Sequence, residues 1–156
     1  MWDDCNISDS FSLERLQISL ARTAISVNAN QTYAFDLPKS EALRALRWPT
    51  LAWRRRRLKF ILFWQLFNGG GPLALRKRLP PTVSNRCGYH LRNQLSVEIP
   101  LCSSSSYLSS SLPSTSQLWN TLPATVTSSS SLLKFTHSLD SFFASDFYSF
   151  GAGLPP

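Results

Sequence analysis

The residues best placed to do chemistry in this chain are basic. Arg54-Arg55-Arg56-Arg57 run together, Lys59 follows after one leucine, Arg76-Lys77-Arg78 form a second run, and Arg92 stands further on. Guanidinium and ammonium groups in such rows can neutralise phosphates. Contacts of that kind hold a nucleic-acid backbone, weaken as salt rises and carry no sequence readout. With Arg44, Arg47 and Arg86 included, twelve positive residues lie from Arg44 to Arg92, and no Asp or Glu lies between them. Six of the nine acids come earlier: Asp3, Asp4, Asp9, Glu14, Asp36 and Glu41. A chain polarised in this way attracts polyanions, nucleic acid first and an anionic membrane surface second.

Catalysis is poorly served. A polymerase-type site needs paired aspartates on a strand turn to hold two metal ions. Asp3-Asp4 is the one adjacent acidic pair, with no strand pattern before it and no third carboxylate near. Cys87-x2-His90, Cys102 and His137 are ligand-type residues without the spacing of a zinc knuckle. Gly69-Gly70-Gly71 lacks the Lys-Ser/Thr of a phosphate-binding loop and reads as a helix stop. The expectation is a chain with no catalytic residue, no metal, no cofactor and no small-molecule substrate. Three cysteines (Cys5, Cys87 and Cys102) at wide spacings fit reduced, intracellular thiols. The acidic N-terminus lacks the apolar core of a secretory signal, so a nuclear or cytoplasmic location is expected. The longest apolar stretch, Phe60 to Phe67, is broken by Gln65 and falls well short of the ~20 residues of a membrane span.

The elements that would position these charges read mainly as α-helices. Leu13, Leu16, Leu20, Ala24 and Val27 recur at helical spacing, make one apolar stripe and predict a first helix from Ser10 to about Val27. A short second helix is expected after Pro38, through Glu41 to Leu46. The third should run from Thr50 to Asn68, ended by the three glycines. It carries an aliphatic face of Leu51, Leu58, Leu62 and Leu66, and an aromatic face of Trp53, Phe60, Phe63, Trp64 and Phe67 with Arg56 in its middle. A helix apolar on both sides is normally buried between neighbours. The competing reading makes the aromatics a base-stacking groove beside Arg56 and Arg57. Arg54 and Arg55 flank the aliphatic stripe, while Arg56, Arg57 and Lys59 are expected to be freer.

Beyond Leu79 the chain turns irregular. A short hairpin with strands at Tyr89–Arg92 and Val97–Ile99 fits within residues 80–101. Residues 103–131 hold thirteen serines around a Leu118-Trp119-Asn120 island expected to anchor on the core. A last helix fits 132–143, with Leu132, Phe135, Leu139 and Phe142 on one face. The expected layout is thus a basic helical domain at 1–101, a serine-rich segment at 102–131, a helix at 132–143 and a disordered tail at 144–156. The fold class is a small, mainly α domain with a short β-hairpin and a serine-rich, irregular C-terminal half.

The order of several short motifs adds a lineage. Trp2-Asp3-Asp4-Cys5, Leu13-Glu14-Arg15-Leu16-Gln17 and Ala21-Arg22 come first. Trp48-Pro49-Thr50-Leu51, the arginine run, Asn68-Gly69 and Pro72 follow. Leu79-Pro80-Pro81, Tyr89 with Leu91-Arg92-Asn93, Pro100, Leu118-Trp119-Asn120, Leu122-Pro123, Ser131-Leu132 and Phe135 complete the series. In that order they resemble the segment behind the polymerase domain of LINE-type, jockey-like non-LTR retrotransposon reverse transcriptases. The resemblance implies a non-catalytic fragment of an RNA-directed DNA polymerase whose aspartates and endonuclease lie elsewhere. It also implies a tail that helps hold RNA or DNA. Gly70-Gly71 and the serines at 103–106 and 109–111 depart from that pattern, as a decayed copy would. The alternative function is an element-derived structural or interaction module that binds no nucleic acid. Exposure of Trp53, Phe63 and Trp64 beside Arg56 would favour binding, and their burial the module.

Overall fold

The structure, a computed structural model, describes residues 7–29, 36–83, 95–99, 101, 104–108, 110–144 and 147–148. It is mainly helical, as the periodicity predicts. The helices are α1 (Ile7–Ala29), α2 (Lys39–Ala45), α3 (Leu51–Phe67), α4 (Leu73–Arg76), α5 (Ser105–Leu108), α6 (Ser111–Asn120), α7 (Ala124–Thr127) and α8 (Leu132–Phe142). Two compact units divide the described residues. One holds those up to Arg56 together with Phe143, Ala144, Phe147 and Tyr148; the other holds Arg57 to Phe142. The boundary falls within α3, not near residue 101.

In the first unit, α1 buries a different face from the one its leucines suggest. Leu16, Leu20 and Val27 are 61%, 63% and 74% exposed. The inward face carries Glu14, Gln17, Ile18 and Ala21. The reason is polar work at the start of α3. The Glu14 carboxylate accepts from the backbone N–H groups of Leu51 (3.3 Å) and Ala52 (2.6 Å), and Thr50 Oγ1 accepts from Trp53 N at 3.2 Å. These are three of the four amides that a helix N-terminus leaves without an internal partner. The negative charge also suits the positive end of the helix dipole. Gln17 Nε2 donates to the Pro49 carbonyl at 2.9 Å, and Arg22 donates to the Leu37 carbonyl at 2.6 Å. Ala21, Ala42 and Leu43 are fully buried, with Ile25, Leu37, Leu46, Trp48 and Tyr148 packed around them. Paired alanines let α1 and α2 approach closely.

Helix α2 ends in a left-handed residue, Arg47, at φ 55°. Trp48 N donates to Leu43 O at 2.8 Å and Arg47 N to Arg44 O at 3.0 Å, which turns Trp48 back onto the cluster. The tail closes the same unit. Phe143 and Phe147 each pack on Trp53 with ring centroids 5.1 Å apart, and Phe147 O accepts from Thr50 N at 3.0 Å. Phe147 and Tyr148, expected in a disordered tail, are therefore packed residues.

The second unit is built on aromatic rings. Phe60, Phe63 and Phe135 are buried, as are Trp64 and Trp119. Trp64 stacks on Phe135 (5.6 Å) and Phe67 on Trp119 (5.8 Å), while Phe63 tilts against Trp119 at 5.2 Å. The aliphatic side of α3 is less buried than expected: Leu66 is inside, but Leu58 is exposed. Gly69, at φ 82°, ends α3, with Gly69 N donating to Leu66 O and Gly70 N to Gln65 O. A side chain at Gly69 would be strained in that left-handed conformation.

The serine-rich stretch is less irregular than its composition suggests. Within α6 the hydroxyls of Ser114, Thr115 and Ser116 donate back to carbonyls three or four residues earlier, which keeps them satisfied on a helix that buries Trp119. Val97 forms an isolated antiparallel bridge with Thr82, so its partner differs from the Tyr89–Arg92 strand expected of the hairpin, a segment that lies outside the described residues. The Asn120 amide takes Val97's other edge, accepting from its N–H and donating to its carbonyl, both at 2.9 Å. In α8, Phe135 and Leu139 are fully buried, whereas Phe142 is half exposed. No helix among the described residues is long and apolar enough to cross a membrane.

Candidate nucleic-acid interface

The first basic run sits on α3, where Ala52, the four arginines, Leu58 and Lys59 are good helix formers and the start is capped. Four consecutive residues at about 100° per residue point all round the axis, so their fates diverge. Arg54 is exposed and has no side-chain partner among the described residues. Arg55 turns toward α1, donating to Ser10 Oγ at 2.6 Å and lying 3.9 Å from the Glu14 carboxylate. Arg56 lies over the Phe143 ring, 5.9 Å from its centroid.

Arg57 makes the strongest contact. Its Nε and Nη2 donate to the two carboxylate oxygens of Asp140 at 2.6 and 2.9 Å, a bidentate fork. Those hydrogen bonds hold the Arg57 pKa above its ordinary value, against the opposing effect of burial. Lys59 reaches Ser114 Oγ at 3.4 Å, and burial pulls its ammonium below the usual lysine range. Arg56, Arg57 and Lys59, expected to be the freer members, are thus committed within the fold. The partner acids were hidden by distance: Glu14 lies 38 residues before Ala52, which it caps, and Asp140 lies 83 residues after Arg57.

The aromatic face is closed as well. Trp53 is 4%, Phe63 2% and Trp64 8% exposed, which removes the open stacking groove considered beside Arg56. Core packing wins because each ring has an aromatic neighbour within its own unit.

The second run behaves differently. Arg76 ends the four-residue α4, and Lys77 and Arg78 follow in a turn. All three are exposed and have no side-chain partner among the described residues. Arg76 folds back toward the glycine turn, its Nη2 3.9 Å from the place a Cβ on Gly69 would take. The neighbouring Asn68 lines a cavity of about 320 Å³, together with Trp64, Phe67, Leu95, Trp119 and residues Thr127 to Ser130. Periodicity could not reveal this cavity, since its walls come from α3, α6, α7 and three connecting segments. Arg92, Asp3, Asp4, Cys87, His90 and Cys102 lie outside the described residues. Among the described residues, no three His, Cys, Asp or Glu side chains come together as metal ligands would.

Comparison with known protein families, curated proteins and solved structures finds no match to this chain.

Proposed function

We propose that this chain is a non-catalytic, helical module of LINE-type reverse-transcriptase ancestry that holds single-stranded RNA or DNA through the Arg76-Lys77-Arg78 run. The lineage rests on the ordered motifs of the sequence. The binding rests on one observation above all: three consecutive cations are exposed and lack internal partners among the described residues. The arginine run on α3 takes a mainly structural role in this reading, with Arg54 as its exposed remainder. Contacts from Arg76, Lys77 and Arg78 would be directed at phosphates and indifferent to base sequence.

Filter binding of the full chain to a single-stranded RNA, at rising salt, tests the proposal. Affinity should fall with salt, and the variant carrying Arg76→Ser, Lys77→Ser and Arg78→Ser should lose both affinity and part of the salt slope. Equal binding by that variant would overturn it.

Burial of Trp53, Phe63 and Trp64 favours a second reading, an element-derived scaffold or interaction module that binds no nucleic acid. Absence of any salt-sensitive RNA or DNA binding by the intact chain would decide for it.

A further inference from the structure

We infer that the exposed face of α1 joins two copies of this chain, their α1 helices antiparallel about a two-fold axis at Leu20. This pairing is independent of nucleic-acid binding. Leu16, Leu20 and Val27 stand 61%, 63% and 74% exposed, and Leu13 and Ala24 of the same stripe are partly exposed. At about 100° per residue the five positions share an arc of roughly 80°. That arc is turned about a third of a revolution from the inward face of Glu14, Gln17, Ile18 and Ala21. The core of this unit takes one side of α1 and leaves a row of aliphatic side chains in water, where their burial would be favourable.

The spacing of that row selects its occupant. Leu13 and Leu16 lie seven and four residues before Leu20, and Ala24 and Val27 lie four and seven after it. A two-fold interface must be self-complementary, because the same patch is used on both sides. A row spaced alike from either end meets that demand. With the axis at Leu20, Leu13 faces Val27 of the second copy, Leu16 faces its Ala24, and Leu20 faces Leu20. The large Leu16 then fills the room left by the small Ala24. A parallel pairing would instead set Ala24 against Ala24 and leave a gap in the seam.

Charge permits the contact, although each chain carries a net +7. Helix α1 holds two acids, Asp9 and Glu14, and two bases, Arg15 and Arg22. None of the four interrupts the stripe. Glu14 faces the start of α3, Arg22 is tied to the Leu37 carbonyl, Arg15 lies well round the helix, and Asp9 falls one turn before Leu13. The exposed flank is small and polar: the Ser12 and Thr23 hydroxyls donate to the Ser8 and Ser19 carbonyls, each at 3.0 Å. Such a flank needs nothing from the second copy and lets it approach. The stripe and its flank offer about 400 Å² per copy, roughly half of what a standard interface buries on each side. The dimer should therefore be reversible, with a Kd of about 10–100 μM. Salt screens the repulsion between two positive chains, so pairing should tighten as salt rises, the reverse of phosphate binding.

Sedimentation velocity of the full chain, from about 1 to about 300 μM and at low and high salt, tests this pairing. The parent should pass from monomer to dimer over that range, at lower concentration in high salt. Leu20→Glu sets a carboxylate against its own symmetry mate and should weaken the dimer at least about tenfold. Leu13→Glu should weaken it as well, and adding Val27→Lys should restore it, since the antiparallel arrangement brings each new carboxylate beside the second copy's new ammonium. Within one helix the two positions are about 21 Å apart and cannot pair. Should circular dichroism show that Leu20→Glu has lost its helix, Leu20→Ser at the same exposed position gives the same reading. A parent that stays monomeric throughout overturns the proposal and assigns the stripe to a different protein. A dimer that Leu20→Glu leaves unchanged overturns it too. A double variant no tighter than Leu13→Glu alone overturns the antiparallel arrangement.

Discussion

Two basic runs of similar density lie about twenty residues apart in this chain and meet opposite fates. Arg55, Arg56, Arg57 and Lys59 are engaged by Glu14 and Ser10, the Phe143 ring, Asp140 and Ser114. Arg76, Lys77 and Arg78 are exposed and unengaged among the described residues. The difference comes from what surrounds each run. The first lies on a long helix whose other positions are buried rings, so its cations sit near whatever the fold packs there. The second lies on one helical turn and the loop after it, with little surface of its own to bury. Charge density along a chain therefore does not measure charge offered to a partner. Distant acids decide that, and here they were outside the acid-free span.

Glu14 gives the largest handle on this contrast. Glu14→Ala removes the acceptor for two helix amides and the neighbour of Arg55, and should cost about 2–3 kcal/mol, read as a lower urea midpoint. Glu14→Gln keeps an acceptor and should recover part of that loss. RNA affinity per folded molecule should stay close to that of the parent, since the structural run is not the binding run.

The serine replacements at Arg76, Lys77 and Arg78 come next. They should reduce single-strand affinity by about tenfold at low salt, and lower the log–log salt slope by about 2, at roughly 0.7 per phosphate contact. The thermal midpoint should hardly move. A large loss of stability instead would mean that these cations are structural, and the comparison between the runs would collapse.

Arg57→Ala should cost about 1 kcal/mol, and the double variant with Asp140→Ala should be little worse than either single change. The side chains are about a third exposed, which keeps the figure modest. Smaller still is Lys59→Met. Burial lowers the Lys59 pKa, so between that depressed folded-state value and the ordinary 10.5 the unfolded chain binds more protons, and stability rises with pH. Below the folded pKa the penalty is fully present. Lys59→Met should therefore add a few tenths of a kcal/mol near neutral pH and flatten that rise, as urea titrations on either side of the window would show. Arg54→Ser, at an exposed position without a partner among the described residues, should stay within about 0.5 kcal/mol of the parent.

Local patterns were legible in the sequence where a residue's role depends on its near neighbours. Helix α3 starts one residue after Thr50 and ends at the glycines, because caps and left-handed turns are local chemistry. Phe135 and Leu139 are buried on α8 as its period predicts. The reading failed on α1, where a sound apolar stripe led to the wrong face. Glu14 and Gln17 face inward because they serve groups more than thirty residues away, and no periodicity contains that information. The same holds for the candidate site. The cations were visible, but which of them the fold consumes was settled by Asp140 and Glu14. The serine-rich stretch was misread for another reason: composition alone does not show that serine hydroxyls can return to carbonyls of their own helix.

The packing of Phe143 and Phe147 against Trp53 also sets an order of events during synthesis. The Thr50 amide, the Trp53 ring and the Arg44 guanidinium all find partners between Phe143 and Tyr148. On a ribosome those partners emerge roughly ninety residues later than the groups they cover, or about 5–20 s at ordinary elongation rates. During that interval the start of α3 has its Glu14 cap but not its aromatic cover. The helix pair α1–α2 must wait with Trp53 unshielded, which makes the nascent chain, rather than the finished protein, the form most exposed to chaperones and to misassociation.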